Sequence, residues 1–84
     1  MEKIRLTKHA LEQCQERGTN EDEVRESILQ GSRQEGKKGK FLYRLNFQYD
    51  SEWQGTYYRI KQVAPVVAEE KSEIVVITVY TFFF

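Results

Sequence analysis

Beyond residue 40 the apolar residues fall into period two, and that change of period most constrains the fold. Phe41, Tyr43, Leu45, Phe47 and Tyr49 alternate with Leu42, Arg44, Asn46 and Gln48. This is the spacing of a strand with one buried face. Thr56–Val63 reads as a second strand, with Tyr58 and Ile60 on one face and Tyr57, Arg59, Lys61 and Val63 on the other. Pro65 lacks a ladder donor, so a bulge, bend or edge position is expected there, with Val66–Ala68 as a separate short strand. Ile74–Phe84 is apolar on both faces and suits a central strand. All eleven aromatics lie in this back half.

The front half is helical in pattern and free of aromatics. Thr7 is placed to cap a helix running from Lys8 to Arg17 and stopped by Gly18. Its expected core stripe is Ala10, Leu11 and Cys14, with His9 and Arg17 at the border. Asn20-Glu21-Asp22-Glu23 has the form of a capping box opening a second helix that ends at Gly31. Residues 31–40 hold three of the five glycines and no apolar residue, so they read as a loop. The expected fold is α+β: two N-terminal helices packed on a three- or four-stranded antiparallel sheet, because the connections are too short for crossovers. The 84 residues make one domain: a helical hairpin (7–30), a basic loop (31–40) and a sheet (41–84).

Charge narrows the function classes. Thirteen basic and thirteen acidic residues cancel, which argues against a protein that coats nucleic acid indiscriminately. The balance is uneven, however: residues 31–49 carry five cations against one carboxylate, flanked by acidic segments. Arg33, Lys37, Lys38, Lys40 and Arg44, with Arg59 from the next strand, are therefore the candidate nucleic-acid contacts. Gly36-Lys37-Lys38-Gly39-Lys40 precedes a strand and lacks the Walker spacing. The bland reading is a solvated loop. One cysteine excludes an internal disulfide, and no segment reads as a signal peptide or membrane span. A cytoplasmic protein is expected. With one His and one Cys no metal site is expected, nor any cofactor.

Cys14 and His9 stand about 140° apart on the first helix, so they do not pair, and Cys14 reads as a buried thiol. His9 and Arg17 lie two turns apart and could lean over one sheet edge, the histidine moving a proton and the arginine holding a phosphate. Equally, His9 could bond Glu12 or Glu16, and Arg17 could cover apolar surface with its stem. Thr78 and Tyr80 share one side of the last strand. A tyrosine hydroxyl near Lys61 and Arg59 could serve a phosphate ester, or Tyr80 could be a core aromatic with its hydroxyl at the rim. The tail Thr81–Phe84 is too apolar to stand bare and is expected to be covered, within the chain or by a second copy.

Leu6-Thr7-Lys8-His9-Ala10, the Gln13 to Arg17-Gly18 helix end, the acidic start of the second helix and Ile77-Thr78-Val79-Tyr80 together resemble a family of short bacterial proteins of unknown function. Lys61-Gln62-Val63-Ala64-Pro65 and the Phe-rich tail look like its cyanobacterial branch. That family is grouped by fold with RelE-like and barnase-like ribonuclease toxins. The resemblance implies helices on an antiparallel sheet whose open face binds RNA, with His9, Arg17, Thr78 and Tyr80 at the matching positions. Two functions follow. The first is a metal-independent endoribonuclease in which His9 or Tyr80 moves the proton while Arg17 and Lys61 stabilise phosphorane charge. The second is a non-catalytic module for protein interaction or homodimerisation through the C-terminal aromatic strand. The expected partners are RNA, a second copy and an antitoxin-like protein.

Overall fold

The computed structural model describes residues 3–84; Met1 and Glu2, which open the segment read as lacking a signal peptide, lie outside them. The order is β1 (Lys3–Leu6), α1 (Lys8–Glu16), α2 (Glu21–Gln30), β2 (Ser32–Glu35), β3 (Lys40–Trp53), β4 (Thr56–Glu69) and β5 (Glu73–Phe83). The strands form one sheet in the order β1-β5-β4-β3-β2.

The helices follow their local signals. The Thr7 side chain accepts from the Ala10 amide, and Asn20 accepts from the Glu23 amide. The Glu23 carboxylate does not complete the capping box. It accepts instead from the Thr19 hydroxyl at 2.8 Å and pairs with Lys61. On α1 the buried residues are Ala10, Gln13 and Cys14, while Leu11 is exposed. The expected stripe is thus rotated by one position, and an amide takes the place of a leucine. Gly18 (φ +74°) closes α1 where a Cβ would stand 2.7 Å from the Trp53 ring, so both backbone and space require glycine.

The sheet corrects the expected fold class in two ways. It has five strands rather than three or four, and it is mixed rather than antiparallel, because β1 pairs with β5 in parallel from Lys3↔Glu73 to Leu6↔Val76. The long connection from β1 through both helices and the meander supplies the parallel crossover. β2, β3, β4 and β5 pair antiparallel in sequence. Part of the basic loop is therefore strand: Ser32–Glu35 lies along Arg44–Phe41. The two segments expected on either side of Pro65 are one strand, and the irregularity falls just beyond the proline, between Val66 and Val67.

That irregularity sets the faces of β5. Thr78 pairs with Val66 and Val76 pairs with Val67, so Ile77 is the extra residue. The shift puts both Val76 and Val79 in the core with Ala10, Cys14, Val24, Val63 and Val67, on the side covered by the helices. Tyr80 and Phe82 turn to the uncovered side. The tail is paired rather than loose. Phe84 exchanges backbone hydrogen bonds with Ile60, and Phe83 stacks on Trp53 at 5.1 Å between centroids, with Tyr49 and Tyr58 around it. Phe82 and Phe84 stay exposed.

Candidate nucleic-acid interface

Register places the open face in rows across β3, β4 and β5. Leu42, Val66 and Thr78 form one row. Ala64 and Tyr80 form the next, with Arg44 beside them. Asn46, Gln62 and Phe82 form the third. Leu42, Ala64 and Val66 floor a groove of about 580 Å³. Tyr80 and Phe82 wall it on the β5 side, and Arg44 with Lys37, Lys38 and Lys40 of the β2–β3 hairpin wall it on the other. No acidic residue lines it among the described residues. Arg44 is aimed by a 2.8 Å bond from Nη1 to Gln62 Oε1, with its guanidinium 5.6 Å from the Phe82 ring centroid.

The other candidates lie elsewhere. Arg33 pairs with Glu69 at 3.1 Å, lies 3.7 Å over the Phe41 ring and shares Glu69 with the Tyr43 hydroxyl. Burial, and then that carboxylate, push the Tyr43 hydroxyl up from its ordinary value. Arg33 thus pins the hairpin instead of facing the groove. Arg59 is exposed on β4 and outside the groove lining. Lys61 is buried on the helix side. Its ammonium donates to Gly18 O at 2.9 Å and pairs with Glu23 at 2.7 Å, which ties β4 to the turn between the helices. His9 is exposed on α1.

Arg17 and Thr78 meet at the outer edge of β5, joined there by Gln13. The Gln13 Oε1 accepts from the Val79 amide at 2.9 Å and from the Thr78 hydroxyl. Arg17 Nη1 donates to Val79 O at 3.0 Å, and its guanidinium lies 5.0 Å from the Tyr80 ring centroid. The Thr81 hydroxyl donates to Arg17 O at 2.7 Å. Of the five candidate catalytic residues, Arg17, Thr78 and Tyr80 are thus neighbours, while Lys61 faces the opposite side of the sheet.

Sequence reasoning quoted Gln13 only as part of a motif, without its role at the β5 edge, and passed over the groove floor. The available signal was Leu42, an apolar residue on the polar face of β3, set against a β5 apolar on both faces. Cys14 is buried, and burial first, then Glu21 and Glu23, push its thiol up, which suits a packed side chain more than a nucleophile. Among the described residues no three His, Cys, Asp or Glu side chains cluster to hold a metal ion, and no helix is long and apolar enough to cross a membrane.

No curated protein and no solved structure matches the chain. Residues 6–81 match the family model described as Domain of unknown function (DUF4258), which takes in both helices and nearly all of the sheet, and the chain belongs to that family.

Proposed function

We propose that this chain binds single-stranded RNA along the open face of its sheet. One observation carries the reading: an aromatic wall, Tyr80 and Phe82, faces a cationic wall, Lys37, Lys38, Lys40 and Arg44, across an apolar floor. The walls rise from β5 and from β3 with its hairpin, two strand spacings or about 10 Å apart. A nucleotide laid across the strands puts its base on the rings and its phosphate on the cations. Base stacking supplies sequence-tolerant affinity and the cations supply salt-dependent affinity. Phe84 continues the ridge two residues beyond Phe82, so successive rings stand about 7 Å apart. This is about twice the roughly 3.4 Å step of stacked bases. Such spacing suits an unstacked strand and not a duplex.

The resemblance of the helix and last-strand motifs to a family grouped by fold with RelE-like and barnase-like ribonucleases supports RNA as the ligand class. The placement of Lys61 supports binding over cleavage, because its ammonium is committed to Glu23 and Gly18 on the far side of the sheet.

Fluorescence anisotropy with a labelled single-stranded RNA tests the proposal. Tyr80→Ala and Phe82→Ala should each weaken binding at least about fivefold, the low end for loss of one stacked base. Lys37→Ala and Lys38→Ala should each weaken binding and flatten its salt dependence. Absent binding, or binding indifferent to all four changes, overturns the proposal. RNA cleavage in EDTA that Tyr80→Phe abolishes would overturn the binding-only reading in favour of catalysis.

The exposed ridge of Tyr80, Phe82 and Phe84 also favours a second reading, in which a second copy packs ring on ring. Sedimentation velocity distinguishes it: a concentration-dependent dimer lost in Phe82→Ala supports self-association, and a monomer at all concentrations removes it.

A further inference from the structure

The sheet ends on β2, and the outer edge of β2 is open. Among the described residues β2 pairs with β3 alone, and Ser32, Arg33, Gln34 and Glu35 are all exposed. The ladder fixes which of its backbone groups point outward. Gly36 N donates to Lys40 O at 2.8 Å, so Gly36 and Lys40 form a hydrogen-bonded pair. Along an antiparallel ladder such pairs alternate with non-hydrogen-bonded ones. Ser32 and Gln34 therefore turn their N–H and C=O toward β3, while Arg33 and Glu35 turn theirs away from it. Those outward groups form a template for another strand.

We infer that β2 pairs antiparallel with β2 of a second copy, with Arg33 of each facing Glu35 of the other. The side chains select both the occupant and the register. A symmetric pairing centred on Arg33 sets guanidinium against guanidinium, and one centred on Glu35 sets carboxylate against carboxylate. Centring on Gln34 sets Arg33 against Glu35 on both sides of the axis, and there the outward N–H and C=O groups of both residues meet partners. Opposite charges directly across a ladder stabilise it, and like charges destabilise it. Arg33 holds Glu69 through Nη2, which leaves Nη1 and Nε to reach across the seam. The same register carries Lys37 of one copy alongside Gly31 of the other. Gly31 caps α2, whose last turn holds no basic residue although the helix dipole favours one there. The opposite edge of the sheet is protected instead: the charges of β1 are Lys3 and Arg5, so two copies would oppose cations. The two-fold axis stands perpendicular to the strands and the sheet, so two five-stranded sheets join into one with both grooves on the same side. This seam is separate from the Tyr80, Phe82 and Phe84 ridge.

The edge is four residues long, so the dimer is weak and concentration-dependent. Sedimentation equilibrium of the full chain up to about 1 mM should show it. Glu35→Pro removes an outward N–H and no bond to β3, and Glu35→Arg makes both charge pairs repulsive. Each should weaken the dimer at least about fivefold, with circular dichroism unchanged, while Phe82→Ala leaves the dimer intact. Cross-linking reads the register. Gln34 meets its own copy in a non-hydrogen-bonded pair, with Cα atoms about 4.5 Å apart, so Gln34→Cys should oxidise to a covalent dimer. The two Ser32 Cα atoms would stand about 13 Å apart, so Ser32→Cys should not. A monomer at every concentration, a dimer that both Glu35 variants leave unchanged, or Ser32→Cys cross-linking as readily as Gln34→Cys overturns the inference.

Discussion

Lys61 is the residue on which the structural and catalytic readings of this chain diverge most, and Lys61→Met separates them. Methionine keeps the length and packing of the lysine stem and removes only the ammonium. In the native fold Lys61 is 7% exposed, and its ammonium lies 2.7 Å from Glu23 Oε1 and 2.9 Å from Gly18 O. Its loss leaves the Glu23 carboxylate with the Thr19 hydroxyl as its remaining side-chain partner and takes a donor from the Gly18 carbonyl. Breaking a fully buried ion pair costs about 3–5 kcal/mol. The Glu23 side chain keeps 22% of its exposure, so water recovers part of that cost, and about 2–3 kcal/mol remains. For a domain of this size the corresponding fall in Tm is roughly 10–20 °C. Lys61→Met/Glu23→Gln should recover at least about 1 kcal/mol of the loss, because the orphaned charge is gone while Thr19 keeps an acceptor. RNA affinity measured below the lowered Tm should not change. A Lys61→Met protein within about 0.5 kcal/mol of wild type by urea titration would refute the assignment of Lys61 to a structural network. A stable variant that lost RNA binding or cleavage would return Lys61 to the functional site.

Two further outcomes follow from the clamps on β5. Gln13→Ala removes the acceptor of the buried Val79 amide and should cost about 1–3 kcal/mol; amide exchange at Val79 should accelerate more than at Val63 or Val67, and equal exchange at all three would refute the clamp. On the other side of β5, the hydrogen bond from Arg5 holds the Glu73 carboxyl below its ordinary value. A depressed carboxyl adds stability that is full above the ordinary carboxylate range and is lost as pH falls through the folded value. Carboxyl NMR shifts should therefore show Glu73 titrating low, and Arg5→Ala should move its midpoint up; an unmoved midpoint would refute the pairing.

The parts of this fold that could be read from sequence are those set by residues a few positions apart. Thr7 and Asn20 cap their helices as their types and spacing require, and Gly18 closes α1. β1 and β2 were not legible, for different reasons. Ile4 and Leu6 offer only one alternation before the helix cap, and their partners lie some seventy residues away on β5. Ser32–Glu35 has no apolar residue and is exposed throughout, so β2 exists because β3 offers an edge and not because it buries anything. The faces of β5 depended on one extra residue, Ile77, opposite the Val66–Val67 step. A run that is apolar on both faces gives no hint of where such a step falls, and the step decides that Tyr80 and Phe82 line a groove instead of filling the core.

The same topology explains the residues that carry the resemblance to a family of unknown function. β1 ends at Leu6↔Val76, and the outer edge of β5 would run on bare beyond it. An unpaired edge must be covered, since its backbone groups otherwise go unsatisfied or recruit another chain. Side chains and caps of the next element do this in order along the edge. The Thr7 amide takes Val76 O and its hydroxyl takes Ile77 O, Gln13 takes the Val79 amide, and Arg17 takes Val79 O. Thr7, Gln13 and Arg17 thus act as a surrogate strand, and Thr78 and Thr81 bond back to Gln13 and the Arg17 carbonyl from the other side. A Thr-x-x-x-x-x-Gln-x-x-x-Arg helix ahead of a Thr-Val-Tyr strand therefore has a sufficient cause in sheet closure alone. Among these residues Arg17 reaches further, with its guanidinium against the Tyr80 ring. Through that one contact the edge clamp also props the aromatic wall of the groove, so the chain's structural motif and its proposed RNA site share a single side chain.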